Sequence, residues 1–144
     1  LVELLRDAVQ RQILDANALT MIEGVLQVSH LQVRDIMIPR SQMVCVTENN
    51  SLDECLPTVI QSGHSRFPVF NHEHDQVVGV LLAKDLLGIV ADENEKKRFN
   101  SREILRPVIF VPESKRVDVL LQDFRANRNH IAMVVDEYGS VSGL

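Results

Sequence analysis

Two stretches of this chain run in parallel. Phe67–Val80 (FPVFNHEHDQVVGV) aligns with Ile131–Leu144 (IAMVVDEYGSVSGL) without a gap, apolar on apolar at most positions and Gly79 on Gly143. Upstream, VTENNSLDECL lies over VPESKRVDVLL. The chain thus holds an internal duplication of roughly 60 residues. Such repeats arise where one unit cannot bury its own sheet face and copies cover one another. Only two copies fit in 144 residues. The duplication therefore predicts a pseudo-twofold pair and excludes a solenoid.

Each copy has the same order of signals. A lead-in containing Pro is followed by a strand, a turn, a helix, and two more strands around a polar turn. In the first copy the lead-in is HLQVRDIMIPR, read as extended because Pro39 stops a helix there. Met43–Val46 reads as a short strand. A helix follows, with Asn50 or Ser51 as its cap, Asp53 and Glu54 in its first turn, and Gly63 at its end. RFPVFN and VVGVLLA are strands, HEHDQ the turn between them, KDLLGIVA a helix start and DENEKKRFNS a polar connector. Two amphipathic helices precede all this. They are marked by Leu4, Leu5, Ala8 and Val9, then by Met21, Ile22, Val25 and Leu26, with Asp15 or Asn17 between them as a cap.

Composition narrows the function. The chain is 45% hydrophobic and 24% charged, with a net charge of -5. The acidic balance argues against a nucleic-acid binder, which needs a basic footprint. No apolar run approaches the ~18 residues of a membrane span, and the N-terminus lacks a signal-peptide pattern. A soluble, cytoplasmic segment is expected. It starts without Met and stops at SVSGL, which suggests a piece of something longer. Cys45 and Cys55 lack CxxC spacing and read as small core residues in a reducing compartment. No catalytic motif of the serine-hydrolase, zincin or P-loop kind is present, so no enzyme is expected.

The stretch SGHSRFPVF, Ser62–Phe70, is unusual for a core strand. Arg is rarely buried unpaired, and Pro is confined to strand edges, starts and bulges. The stretch looks like the mouth of a site as well as a wall of a core.

Taken together, the repeat order, the SRFPV entry and the spacing from Gly79 to Asp85 in GVLLAKDLL resemble a pair of cystathionine-β-synthase (CBS) domains. VRDIMIPRSQM, LDECL, HSRFPV, AKDLL and the second copy's VPESKRVDVLL and VVDEYGSVSGL are similar to the CorC and haemolysin-related branch, associated with magnesium and cobalt efflux. The resemblance runs from about Ile22 to Leu144. It implies an α/β (α+β) fold of two β-α-β-β-α units packed through their sheets, preceded by N-terminal helices. The expected divisions are a helical segment over 1–32, a first CBS domain over 33–98 and a second over 99–144, the last cut short at its C-terminus.

The resemblance also implies two clefts for adenine nucleotide, AMP or ATP, the latter with Mg2+. The first would draw on Met37, Ile38, Pro39, Arg40, Ser65, Arg66, Phe67 and Pro68. The family completes it with a Thr and an Asp after the second copy's final glycine, beyond Leu144. The second cleft would draw on Leu105–Val108, on Asn129–Ala132 (including His130 and Ile131), and on Leu82–Asp85. Adenine suits apolar walls such as Ile38, Phe67 and Val69. Asp85 stands at the family's ribose position, and Arg66 with Ser65 offers phosphate a charged fork. Arg66 serves equally as a solvated strand-end charge, and Asp85 as a helix-start residue. Asn129 and His130 stand where the first copy has Ser65 and Arg66, so the second cleft lacks the obvious phosphate arginine.

Family members are regulatory parts of divalent-cation transport systems, and CBS pairs commonly form discs. A homodimer that acts on divalent-cation transport machinery is expected. Two other readings stand beside it. One is a structural docking module with vestigial clefts, favoured by Leu82 and His130 at positions where the family has polar or basic ligands. The other is a direct metal sensor through His72 and His74, whose imidazoles alternate across a turn. That turn reads first as a polar hairpin, since a turn supplies no outer partners to orient metal ligands and the aligned VDEYG has no histidine.

Overall fold

The computed structural model describes the chain except for residues 13–14, 72, 74 and 93–100. The described residues form two compact units. One comprises Leu1–Ile36 with Glu113–Asn129, the other Met37–Pro112 with His130–Leu144.

The first unit is helical. Helix α1 spans Val2–Gln10 and α2 spans Ala16–Val28. Asp15 caps α2, its Oδ1 accepting from the Ala18 N–H at 2.6 Å. The lead-in read as extended contains a helical turn, α3, Val33–Ile36. A reciprocal cap explains it: the Gln32 N–H donates to Asp35 Oδ2 at 2.9 Å, and the Asp35 N–H returns a bond to the Gln32 carbonyl at 3.0 Å. The backbone beside it pairs with the segment entering the second copy's helix. The Val33 N–H reaches Lys115 O at 2.8 Å and the Val117 N–H reaches Leu31 O at 2.9 Å.

The second unit holds both sheets. Strands β1 (Val46–Thr47), β2 (Arg66–Asn71) and β3 (Gln76–Leu82) form one, in that order. β1 and β2 are parallel, joined across helix α4 (Leu52–Ser62), and β2–β3 is an antiparallel hairpin. Helix α5, Ala83–Ala91, follows, then a short helical turn, α6, Ser101–Ile104. Strands β4 (Ile109–Pro112), β5 (Ala132–Val135) and β6 (Val141–Gly143) repeat the pattern, parallel then antiparallel. The helix between β4 and β5, α7 (Val117–Asn127), groups with the helical unit.

The strand read over Met43–Val46 is confined to Val46–Thr47, whose parallel partners are Val69 and Phe70. Residues 43–45 still alternate: Met43 and Cys45 pack on one core cluster and Val44 on the other. The first cluster joins Phe67, Val69 and Leu81 to Cys55, Val59 and Leu86 of α4 and α5. The second joins Phe70 and Val77 of the first sheet to Met133 and Val141 of the second. β2 is thus buried on both faces. Fully burying a side chain such as Phe67, Leu81 or Leu86 contributes about 1.5–3 kcal/mol.

Pro68 corrects the sequence reading. It lies fully buried in the central strand of its sheet, not at an edge. It sits opposite Val80, and Val80 turns both backbone groups away to Arg106, at 3.0 and 2.9 Å. No ladder bond to β3 is there for Pro68 to lose.

The repeated glycine has a common cause in both copies. The lead-in of each copy crosses the last strand of the other. Ile38 exchanges two backbone hydrogen bonds with Leu144, at 2.7 and 3.0 Å, as Arg106 does with Val80. A Cβ on Gly143 would meet Ile38 O at 2.5 Å and Met37 Sδ at 2.9 Å. A Cβ on Gly79 would meet Arg106 O and Leu105 Cβ at 3.0 Å. Glycine permits these close crossings.

Candidate functional site

Two helix-to-strand junctions build the site. Helix α4 ends at Gly63, whose φ of 69° turns the chain, and His64 and Ser65 then lead into β2 at Arg66. Helix α7 ends at Arg128 with φ 54°, and Asn129, His130 and Ile131 lead into β5. Ser65 is pinned by its carbonyl, which accepts from the Ala83 N–H at 2.9 Å. The crossing at Leu144 brings Ile38 beside these junctions.

Together they line a cavity of about 320 Å³. Ile38, Met43, Val44, Ile131 and Leu144 give it apolar wall, and Gln42, His64, Ser65, Arg66 and His130 give it donors. The Arg66 side chain makes no hydrogen bond or ion pair among the described residues, so its guanidinium is available to a ligand. Two other cations near the crossings, Arg40 and Arg106, are engaged. Arg40 forms a two-pronged pair with Asp75, with Nη1 to Oδ2 at 3.1 Å, and lies over the Phe70 ring at 5.2 Å. Asp75 holds the Arg40 guanidinium further up than usual, against the effect of its slight burial. Arg106 is bidentate to Asp85, Nε to Oδ2 at 3.0 Å and Nη2 to Oδ1 at 3.1 Å, and its pKa is likewise raised by that hydrogen-bonded carboxylate.

This arrangement redraws the expected clefts. Ile38, Ser65 and Arg66 come together, but His130 and Ile131, assigned by sequence to the other cleft, join them. Phe67 and Pro68 are fully buried beneath the mouth, so their side chains are core and closed to a ligand. Met37 packs towards Gly143, and Pro39 forms a backbone bridge with it. Asp85 lies in a separate groove with Lys84, Glu103 and Arg106, its carboxylate already bound. Gln42, Met43, Val44, His64 and Leu144 were not anticipated. His64 precedes Ser65 on the same junction, whereas Leu144 arrives through the crossing of lead-in over last strand, which no sequence spacing records. His72 and His74 lie outside the described residues. Among those described, no group of three or more metal-ligating His, Cys, Asp or Glu side chains occurs.

Comparison with known proteins places the fold in a family. The CBS domain model matches residues 33–92, and a model of the N-terminal region of NMB0537 matches residues 1–28. A structure of the CBS domain of the bacterial CNNM/CorC family Mg2+ transporter superposes with a TM-score of 0.88 at 34% identity, covering 97% of this chain and 84% of that one. The chain belongs to the CBS domains of the CNNM/CorC family. A CBS structure of the same family in complex with ATP has a TM-score of 0.78 at 36% identity, over 85% of this chain and 86% of the other. The Magnesium and cobalt efflux protein CorC of Pasteurella multocida is 53% identical over the whole chain, which spans 47% of that relative. This CBS pair therefore covers about half the length of the curated relatives it matches. No described helix is long and apolar enough to cross a membrane.

Proposed function

We propose that this CBS pair is the regulatory module of a magnesium and cobalt efflux protein and that it senses an adenine nucleotide, AMP or ATP, in the cavity at Arg66. The observation that carries this reading is the unpaired Arg66 beside Ser65 in a cavity lined by both apolar and hydrogen-bonding side chains. An adenosine phosphate asks for both, with a flat apolar base and an anionic tail. The ATP complex of a family member supports it. In this reading Arg66 and Ser65 take phosphate, and Ile38 and Ile131 flank the base. The backbone at Phe67, Pro68 and Met37–Arg40 holds the walls in place. ATP brings Mg2+ with it.

The helical segment 1–32, a first domain over 33–98 and a second over 99–144 are the divisions we assign. We place the module on the cytoplasmic side, as a homodimer acting on the divalent-cation transport machinery. Regulation requires the ligand to favour one arrangement of the copies over another. The second reading, a docking module, is favoured for the other groove, where Arg106 already occupies Asp85.

Thermal unfolding with AMP, ATP and ATP plus Mg2+ tests the proposal. A ligand at ~100 times its Kd stabilises by about 2.7 kcal/mol, a shift of roughly 5–10 °C at this size. Arg66→Ala is expected to abolish most of that shift. An undiminished shift in the variant refutes the assignment of Arg66, and no shift with any nucleotide favours docking.

A further inference from the structure

The turn that joins β2 to β3 carries a residue its backbone does not favour. Asp75 holds the left-handed region there, at φ 50°. The aligned repeats place Asp75 over Gly139, which takes the same region at φ 79° in the second copy's turn. Glycine enters that region without steric cost, and a residue with a Cβ does not. The first copy thus keeps a carboxylate where glycine would suit the backbone better. Arg40 accounts for it. Its guanidinium forms the two-pronged pair with Asp75 and lies over the Phe70 ring at 5.2 Å. Phe70 belongs to the buried cluster that joins the two sheets, with Met43 and Cys45 packed against it. Arg40 also opens a 3₁₀ turn, Arg40–Gln42, in which the Met43 N–H donates to Arg40 O at 3.2 Å. Before this turn, Ile38 exchanges its backbone bonds with Leu144. After it, Gln42, Met43 and Val44 line the cavity. The segment 38–44 is therefore one wall of the cavity. Backbone bonds hold its start to the second copy, and the Arg40 side chain holds its middle to the first.

We infer that Arg40 and Asp75 are positioning residues, an ion-pair latch that fastens the 38–44 wall to the first copy's hairpin and so sets the cavity's width. The resemblance gave Arg40 to the nucleotide; the geometry gives it to the wall, since Arg40 is not among the residues that line the cavity. The latch also explains the asymmetry of the two turns, because Gly139 has no side chain with which to hold an arginine. The other crossing, Arg106 over Val80, is tied elsewhere, by Arg106 to Asp85 of α5. Each crossing can therefore be loosened separately. The latch rests on the hairpin and the crossing alone, and only its consequence for binding rests on the ligand site proposed above.

Residue-resolved amide hydrogen exchange on the 144-residue chain, with titration calorimetry against AMP, tests it. Asp75→Asn removes the charge and keeps a residue that tolerates the left-handed region. Asp75→Gly installs the second copy's solution to the turn. In both variants the Ile38 and Leu144 amides are expected to exchange about threefold faster, the size of an exposed ion pair. The Val80 and Arg106 amides of the other crossing serve as the control and are expected to stay unchanged. AMP affinity is expected to fall by a similar factor. Asp75→Gly is expected to melt no lower than the native chain, since the relieved turn offsets the lost pair; this separates loss of the latch from loss of the fold. Raising NaCl to about 0.5 M screens the pair, and is expected to speed Ile38 exchange in the native chain but not in Asp75→Asn. Unchanged exchange at Ile38 and Leu144, or equal acceleration at Val80 and Arg106, overturns the latch. Faster exchange with AMP affinity intact overturns the positioning role and leaves the nucleotide reading standing. A native chain that binds no AMP overturns the nucleotide reading, and exchange at the two crossings then decides the latch by itself.

Discussion

Replacing Gly143 by alanine probes the crossing on which the cavity depends. The new Cβ would lie 2.5 Å from Ile38 O and 2.9 Å from Met37 Sδ. The methionine end can swing away, but the carbonyl belongs to backbone that is hydrogen-bonded to Leu144 at 2.7 and 3.0 Å. The lead-in must therefore lift off the strand. Two backbone hydrogen bonds are worth about 1 kcal/mol each. The forced shift of a packed segment adds about 1 kcal/mol. Alanine returns about 0.5 kcal/mol by stiffening the unfolded chain. The net loss is about 2–3 kcal/mol, and at roughly 2–4 °C per kcal/mol the Tm falls by about 5–10 °C.

Differential scanning calorimetry measures this directly, and Gly24→Ala is the control. Gly24 lies in α2, and a Cβ added there would meet nothing within 4 Å outside its own helix. Alanine there is expected to stabilise by about 0.5–1 kcal/mol. Gly79→Ala, whose nearest contacts are at 3.0 Å, falls between them. Because Ile38 lines the cavity, Gly143→Ala is also expected to weaken the proposed nucleotide binding. A Gly143→Ala protein that melts with or above the native chain refutes the crossed pairing.

Gly63→Ala places a Cβ in the left-handed region at φ 69° and is expected to cost about 1–2 kcal/mol, read from the urea midpoint. Ser51→Ala removes the hydroxyl that accepts from the Glu54 N–H at the start of α4, with an expected loss of about 1 kcal/mol by the same measurement. Burial pushes the thiols of Cys45 and Cys55 above their ordinary range, despite Arg40 drawing Cys45 down and with Glu54 adding to the rise at Cys55. The unfolded chain then ionises first, so these groups favour the fold below about pH 8.5 and that stability drains as pH rises past it. Melting temperature measured from about pH 7 to about pH 10 should fall, and a Cys45→Ala/Cys55→Ala protein should fall less. Asp85→Asn removes the carboxylate that holds Arg106. If Arg106 is what closes that groove, calorimetric stoichiometry with ATP stays unchanged or rises; a drop to zero would instead make Asp85 essential to binding.

Much of this was legible from local signals. Asp15, Ser51 and Gly63 marked helix ends because caps and left-handed turns depend on side chains at single positions. RFPVFN emerged as β2 because its apolar content is continuous, as suits a strand covered on both faces. The helical turn at Val33 was missed because its cap is an Asp35 bond that competes with an equally plausible extended lead-in. Pro68 misled because proline's edge preference assumes a ladder bond to be lost, and Val80 opposite it turns its backbone groups to Arg106 instead.

By itself the sequence determined the duplication, the order of elements in each copy, and the types of residue at the strand mouths, since periodicity and turn chemistry act over a few neighbouring residues. Only the tertiary structure decided which mouths share a cavity. The exchange of lead-ins joins Ile38 to Leu144 and Arg106 to Val80 across long stretches of chain. It gathers His130 with Arg66 and ties Asp85 to Arg106. Those pairings follow from two sheets burying each other's faces, a property of the pair that no single segment carries.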